Sequence, residues 1–153
     1  MIKEYLYIMK YTFFKNSLNR ISQQIYAEKK IANGTIVEFG AEAGSVKNFT
    51  NFIKLEKFNK IIYCDKFPKK SETLIEDLEK KLSLADNSLD SIIVFNVLEH
   101  VFETKNAFLE INRCLKINSG IIIGSTPFIH RIHGAPNDYN RYTKQYLEKI
   151  LDK

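Results

Sequence analysis

The sequence predicts an α/β domain: a doubly wound, mostly parallel sheet of about five strands with helices on both faces. Three observations carry this. β-rich runs alternate along the chain with segments whose apolar residues recur at helical spacing. The strand candidates are nearly continuous in apolar residues, as in Ile92-Ile93-Val94-Phe95 and Ile121-Ile122-Ile123, which fits strands covered on both faces. Acidic and glycine residues cluster just after the strands, where a sheet of this kind receives its ligand.

The elements follow in order. Phe14, Leu18, Ile21 and Ile25 share one helix face, and Asn33-Gly34 is expected to end that helix. This gives a helical segment, residues 1–32, packing on a domain that spans 33–153. Thr35–Phe39 reads as the first strand, and Val46, Phe49, Phe52 and Ile53 then return to helical spacing. Lys60–Cys64 is a second strand, and Pro68 and Ser71 open a polar stretch that holds Leu74, Ile75 and Leu78. Leu82–Leu84 reads as a very short strand and Asp86-Asn87-Ser88 as a turn. Ser91–Asn96 is a clear strand, Phe108, Ile111 and Leu115 mark a helix, and Asn118-Ser119-Gly120 ends it before the strand Ile121–Ser125. A last helix, capped by Thr143, carries Tyr146, Leu147, Ile150 and Leu151.

Composition narrows the functional classes. A chain of 153 residues, 44% hydrophobic and 27% charged, suits one soluble domain with one core. No apolar run approaches the roughly 18–20 residues of a membrane span. Lys3, Glu4 and Lys10 interrupt the N-terminal apolar residues, so no signal peptide is expected and the cytoplasm is the default. The net charge of +5 is spread over isolated pairs such as Lys29-Lys30, Lys69-Lys70 and Lys80-Lys81, and no dedicated nucleic-acid patch is expected. Cys64 and Cys114 sit in apolar segments and read as buried free thiols. The histidines are scattered without HExxH spacing, so no metal site is expected.

Four segments carry candidate chemistry. Val37-Glu38-Phe39-Gly40-Ala41-Glu42-Ala43-Gly44-Ser45 puts an acid at a strand end before a glycine-bearing turn, where backbone can approach a ligand closely. It lacks the GxGxxG pattern of a pyrophosphate cradle, and a plain strand–turn–helix connection is the bland alternative. Asp65 closes the second strand; a carboxylate there accepts both hydroxyls of a ribose, or else serves as a helix N-cap. The third segment runs from Asp77 to Asp90, through Ser91–Asn96, into Val97-Leu98-Glu99-His100-Val101. The fourth, from Pro127 to Thr143, is dense in His133, Asp138, Tyr139 and Arg141; Asp138 and Arg141 either face a ligand or pair with each other.

Taken in series with Leu115–Pro127, these segments resemble the class I S-adenosylmethionine-dependent methyltransferases, in particular their type 11 branch, whose pattern reads like "DNSFD", a strand, "VLEHV", a helix, "LKPGG", a strand and "TP". The resemblance runs from about residue 33 to the C-terminus. It implies a Rossmann-like fold with S-adenosylmethionine as cofactor. Glu38 resembles the acid at the cofactor's methionine end, and Gly40, Ala41 and Gly44 the loop that packs on it. Asp65 resembles the ribose-binding acid, with Lys66 beside it. Asp77 resembles the acid that reads the adenine amino group, and Leu78 packs on the ring. Asn96 lies under the cofactor, with Glu99 and His100 at the floor of the transfer site. The segment His133-x-x-Pro136-x-Asp138-Tyr139-x-Arg141-Tyr142-Thr143 resembles one found in methyltransferases of glycan and surface-polysaccharide assembly. It implies a small, sugar-type acceptor bound by Tyr139 and Arg141, with His133 or Asp138 assisting its deprotonation and His100 as a further catalytic candidate.

Two departures stand against this pattern. The family usually has a small residue where Glu42 stands, and Glu42 would bring bulk and negative charge close to the cofactor's carboxylate. The family also continues through two more strands, whereas this chain reaches Lys153 right after the expected last helix. The sheet is therefore expected to leave its fifth strand as an open edge, to be covered by a homodimer contact, the N-terminal helix or another chain. The alternative to a working methyltransferase is a catalytically impaired relative that acts as a binding or assembly module.

Overall fold

The computed structural model describes residues 17–134 and 137–152. Phe14, the first residue of the expected N-terminal stripe, and Pro136 of the fourth segment lie outside them. Chain order is α1 (Leu18–Glu28), β1 (Ile31–Phe39), β2 (Lys54–Asp65), β3 (Leu74–Ile75), β4 (Ser91–Phe95), α2 (Thr104–Cys114), β5 (Ile121–Ser125) and α3 (Lys144–Leu151). The strands form one five-stranded sheet in the order β3-β2-β1-β4-β5, and every pairing is parallel. The chain leaves β1 toward β2 and β3, then returns to β4 on the other side. That reversal opens a crevice at the carboxyl ends of β1 and β4.

Alternate strand residues feed opposite layers. Val37, Phe39, Ile92 and Val94 pack with Ala107, Phe108, Ile111 and Cys114 of α2 and with Tyr142. Ile36, Ile93, Phe95 and Ile123 pack on the other face with Ala27 of α1, Phe49 and Ile53. This two-sided burial is why β4 has no polar alternation. Cys64 and Cys114 are free and buried. No helix among the described residues is long and apolar enough to cross a membrane.

The structure corrects several sequence expectations. In α1, Leu18 is exposed, and the buried face is made by Ile21, Gln23, Gln24 and Ala27. Asn33-Gly34 does not end α1; it lies inside β1, where the pairing with β2 shifts register and Gly34 has φ +61°. Ser91 Oγ bonds both the N–H and the carbonyl of Asn33, at 3.0 and 3.1 Å, and holds this bulge to β4. β2 begins at Lys54, six residues before the expected strand, because its first half is largely exposed and carries no apolar pattern. The short strand in the polar stretch is Leu74–Ile75 rather than Leu82–Leu84.

The helix expected after Gly44 is a single 3₁₀ turn, Phe49–Asn51. Polar side chains there take the backbone groups a helix would use. Asn48 and Asn51 donate to the carbonyls of Glu42 and Ser45 at 2.7 and 3.0 Å, and Glu38 accepts from the N–H groups of Phe49 and Thr50 at 2.6 and 3.0 Å. The last helix forms as expected, with Thr143 Oγ1 accepting from the Tyr146 N–H at 3.2 Å.

Candidate active site

The crevice contains two adjoining hollows. One, of about 270 Å³, is lined by Gly40, Asp65, Lys66, Asp77, Leu78, His100 and Tyr139 among others. The other, of about 320 Å³, is lined by Arg20, Glu38, Glu42, Lys47 and Phe49 among others. Phe39, Gly40 and Asn96 line both, so the ends of β1 and β4 form the saddle between them.

The geometry at the saddle depends on backbone that few residues tolerate. Gly40 has φ +68°, and a Cβ there would come within 2.5 Å of Val97 Cγ2. Asn96, also left-handed at φ +54°, exchanges two hydrogen bonds with the Gln23 amide at 2.6 and 3.0 Å. Gln23 also donates to Ser125 Oγ at 3.0 Å, so one side chain of α1 ties the ends of β4 and β5 together.

At the β2–β3 end, charge is matched. Lys66 Nζ lies 3.1 Å from Asp77 Oδ2 and 2.9 Å from Glu79 Oε2. The pairing with Glu79 raises the lysine's affinity for its proton, and Lys66 holds the Glu79 carboxyl below its ordinary range. Glu79 Oε1 accepts from the Phe102 N–H at 3.0 Å and so fixes the entrance to α2. Asp65 Oδ1 accepts from the Phe67 N–H at 2.7 Å, which closes a turn and not the helix that the expected N-cap alternative requires, and its second oxygen has no partner among the described residues. Leu78 is both a wall of the hollow and a buried core residue.

The other hollow is braced from below. Both oxygens of Glu38 are taken by the Phe49 and Thr50 N–H groups; burial pushes its carboxyl up, and these bonds oppose the shift. Glu38 therefore supports the floor through the 3₁₀ turn. Ala41 donates its N–H to the Cys64 carbonyl at 3.1 Å, and neither Ala41 nor Gly44 lines either hollow. Glu42 accepts from the Lys69 N–H at 2.6 Å, Ala43 donates to Thr73 Oγ1 at 2.8 Å, and Lys70 Nζ donates to the Ala43 carbonyl at 2.6 Å. Glu42 thus latches its loop to the segment after β2. Arg20 of α1 lies over the Phe49 ring, 3.8 Å from its centroid.

The fourth segment folds back onto Leu98–His100. The N–H groups of Tyr139 and Asn140 donate to the Glu99 carbonyl at 2.8 and 3.2 Å, and Tyr142 Oη donates to the Leu98 carbonyl at 2.8 Å. Asp138 is gripped by both Arg141 guanidinium nitrogens and accepts from the His133 N–H at 2.9 Å. Arg141 holds the Asp138 carboxyl far below the usual range, so this acid is a weak base and acts here as a brace. Tyr139 stands half exposed at the mouth, its ring 5.3 Å from that of Phe102. The rings of His100 and His133 meet at 5.2 Å, and burial, with His100 beside it, lowers the His133 pKa. Glu99 and His100, adjacent in sequence, and the distant His133 each place a ligand-type atom within 4.8 Å of the others.

Arg20, Gln23, Glu79 and Tyr142 join the site without having been expected. The one readable signal was in α1, where Gln23 and Gln24 interrupt the apolar residues of a helix that has to pack on a sheet.

Residues 39–123 match the family described as "Methyltransferase domain". No curated protein sequence matches the chain. Among solved structures, the YcgJ protein of Bacillus subtilis superposes with a TM-score of 0.60 at 15% identity, over 89% of this chain and 67% of that one. The CurJ carbon methyltransferase gives 0.60 at 16%, over 90% of this chain and 48% of that one. Phosphoethanolamine N-methyltransferase 2 of Haemonchus contortus, in complex with phosphomonomethylethanolamine and S-adenosylhomocysteine, gives 0.59 at 12%, over 88% and 35%. A methyltransferase bound to the Haloferax volcanii activator Trm112 is matched over only 50% of its length. At these identities the likenesses speak for the fold, and this chain spans from about a third to two thirds of the proteins it resembles.

Proposed function

The chain belongs to the methyltransferase domain family, and from that premise we propose that its crevice binds S-adenosylmethionine and transfers the methyl group to a small acceptor of sugar type. The observation that carries this is the run of Asp65, Lys66, Asp77 and Leu78 along one wall of the 270 Å³ hollow, with Gly40 and Asn96 at the saddle. In this reading the free oxygen of Asp65 accepts the ribose hydroxyls. Asp77, oriented by Lys66, accepts from the adenine amino group, and Leu78 meets the ring. The methionine end crosses the saddle over Gly40 and Asn96. Its carboxylate meets Arg20 and Lys47, the cations of the second hollow, which offset Glu38 and Glu42. The bound cofactor supplies an electrophilic methyl group on a sulfonium.

The chain's residues then act mainly by positioning. Tyr139 and the loop braced by Asp138 and Arg141 cover the acceptor beside His100 and His133. The His133 imidazole accepts the acceptor's proton. β5, the outer strand on its side of the described sheet, pairs with a second copy of the chain in this reading.

A crystal grown with S-adenosylhomocysteine tests the placement: density between Asp65 and Arg20 supports it, and density elsewhere refutes it. The impaired-module reading depends on Glu42. Glu42→Gly is expected to leave cofactor affinity close to that of the unsubstituted chain, because this carboxylate is tied to the Lys69 N–H. A gain of tenfold or more in affinity would instead favour a module whose cofactor site is spoiled by this side chain.

A further inference from the structure

The corner formed by Glu99, His100 and His133 gathers three ligand-type groups, and among the described residues no Lys or Arg forms an ion pair with Glu99. Glu99 is completely buried, and neither carboxylate oxygen has a hydrogen-bond partner among the described residues. Burying a carboxylate is costly unless donors or a positive charge compensate it. His100 Nε2 stands 3.8 Å from Glu99 Oε1, too far for a hydrogen bond.

The orientation of His100 is set from its other side, where Nδ1 meets the Asn137 carbonyl. A carbonyl oxygen only accepts, so Nδ1 carries the proton and Nε2 presents a lone pair toward Glu99. His133 completes the group, with all three ligand atoms within 4.8 Å of one another. Its own position is held through the Asp138 carboxylate, which accepts the His133 N–H while gripped by Arg141.

We propose that Glu99, His100 and His133 bind one divalent transition-metal ion of the zinc type at the acceptor side of the crevice. Two imidazoles and one carboxylate suit zinc or ferrous iron better than magnesium or calcium, which prefer oxygen ligands throughout. Three protein ligands leave a coordination position for an oxygen donor, either water or an acceptor oxygen. A tetrahedral ion with bonds of about 2.1 Å separates its ligands by roughly 3.4 Å; the observed 3.8 Å between His100 and Glu99 closes to that by small side-chain rotations. The Asn137 carbonyl behind His100 is the outer partner that metal-bound histidines generally have. His100 also lines the 270 Å³ hollow, so the ion lies at its wall. The ion supplies the charge that the buried Glu99 lacks.

An ion held here occupies the His133 lone pair, so in the loaded protein the ion, and not His133, would draw the proton from an acceptor oxygen. Binding is measured without cofactor, so its failure is distinct from failure of the proposed transfer. The full chain, stripped by a chelator, is titrated with Zn²⁺ in competition with a chromogenic chelator. One Zn²⁺ per chain is expected. Glu99→Gln, His100→Ala and His133→Ala should each weaken binding by more than about 100-fold, beyond what loss of an outer partner causes. His130→Ala, which removes the remaining histidine of the three, should leave the affinity nearly unchanged. Co²⁺ gives a check that needs no variant: the unsubstituted chain should show the intense visible bands of a four- or five-coordinate site. Binding below one equivalent, affinity insensitive to Glu99→Gln, weak octahedral Co²⁺ bands, or a loss in His130→Ala equal to that in His100→Ala would each overturn the site.

Discussion

At the β2–β3 end of the crevice, Lys66 stands between Asp77 and Glu79 at 3.1 and 2.9 Å, and Glu79 is further held by main-chain donors of the α2 entrance. At the opposite end Glu99 is buried with neither oxygen paired, facing two histidines. Both ends contain acids next to the same hollow. The acids around Lys66 are paired without a ligand, so their geometry is fixed before anything binds. The second end is electrostatically incomplete, and a group that is buried without partners asks for one from outside.

Substitutions should separate the two ends. The largest effect is expected from Asp77→Ala, which removes the acid proposed to read the cofactor and releases Lys66. Affinity for S-adenosylhomocysteine should fall by about 2–3 kcal/mol, roughly 30- to 150-fold, in a fluorescence or calorimetric titration. A loss as large from Arg141→Ala would erase the distinction between the ends. Gly40→Ala comes next. Its φ of +68° and the approach to Val97 should cost about 1–2 kcal/mol, seen as weaker cofactor binding with a near-normal circular dichroism spectrum. Arg141→Ala should act on the acceptor corner alone: limited proteolysis within 128–143 should speed up while cofactor affinity changes little.

The smallest effect tests the scaffold shared by both ends. Lys116, 2.8 Å away, and the Thr35 N–H lower the Asp90 pKa. A lowered carboxylate pKa contributes stability that is present above the unfolded pKa of about 4 and is lost as pH falls through the folded value. Lys116→Ala should therefore remove about 1 kcal/mol or less near neutral pH. It should also flatten the fall in unfolding free energy below pH 4 in urea titrations.

The buried middle of the sheet was legible in the sequence because its strands are continuously apolar. β4 and β5 fall where Ser91–Asn96 and Ile121–Ser125 put them, within a residue. The start of α3 was legible for a local reason, the hydroxyl of Thr143. Two of the misreadings share a physical cause: side-chain-to-backbone bonds that overrode periodicity. Asn48, Asn51 and Glu38 took the helix expected after Gly44, and Ser91 and Asp90 turned Asn33-Gly34 from a helix stop into a bulge. At the site, Asp65 and Asn96 were singled out by their positions after strands, and Lys66, Asp77 and Leu78 by the family resemblance; all five line the 270 Å³ hollow, and the pairing of Asp138 with Arg141 was one of the two alternatives the sequence left open. The grouping of Glu99 and His100 with His133 was not legible, since it depends on how a loop some thirty residues later folds back; spacing rules built on a single helix, such as HExxH, do not see it.

Isothermal calorimetry with S-adenosylhomocysteine tests the central claim most directly, namely that the crevice at the ends of β1 and β4 is a cofactor site. Saturable binding of one ligand per chain, abolished or strongly weakened by Asp77→Ala and retained in Arg141→Ala, is the expected result. No detectable heat at millimolar ligand, or binding that Asp77→Ala leaves intact, would contradict it.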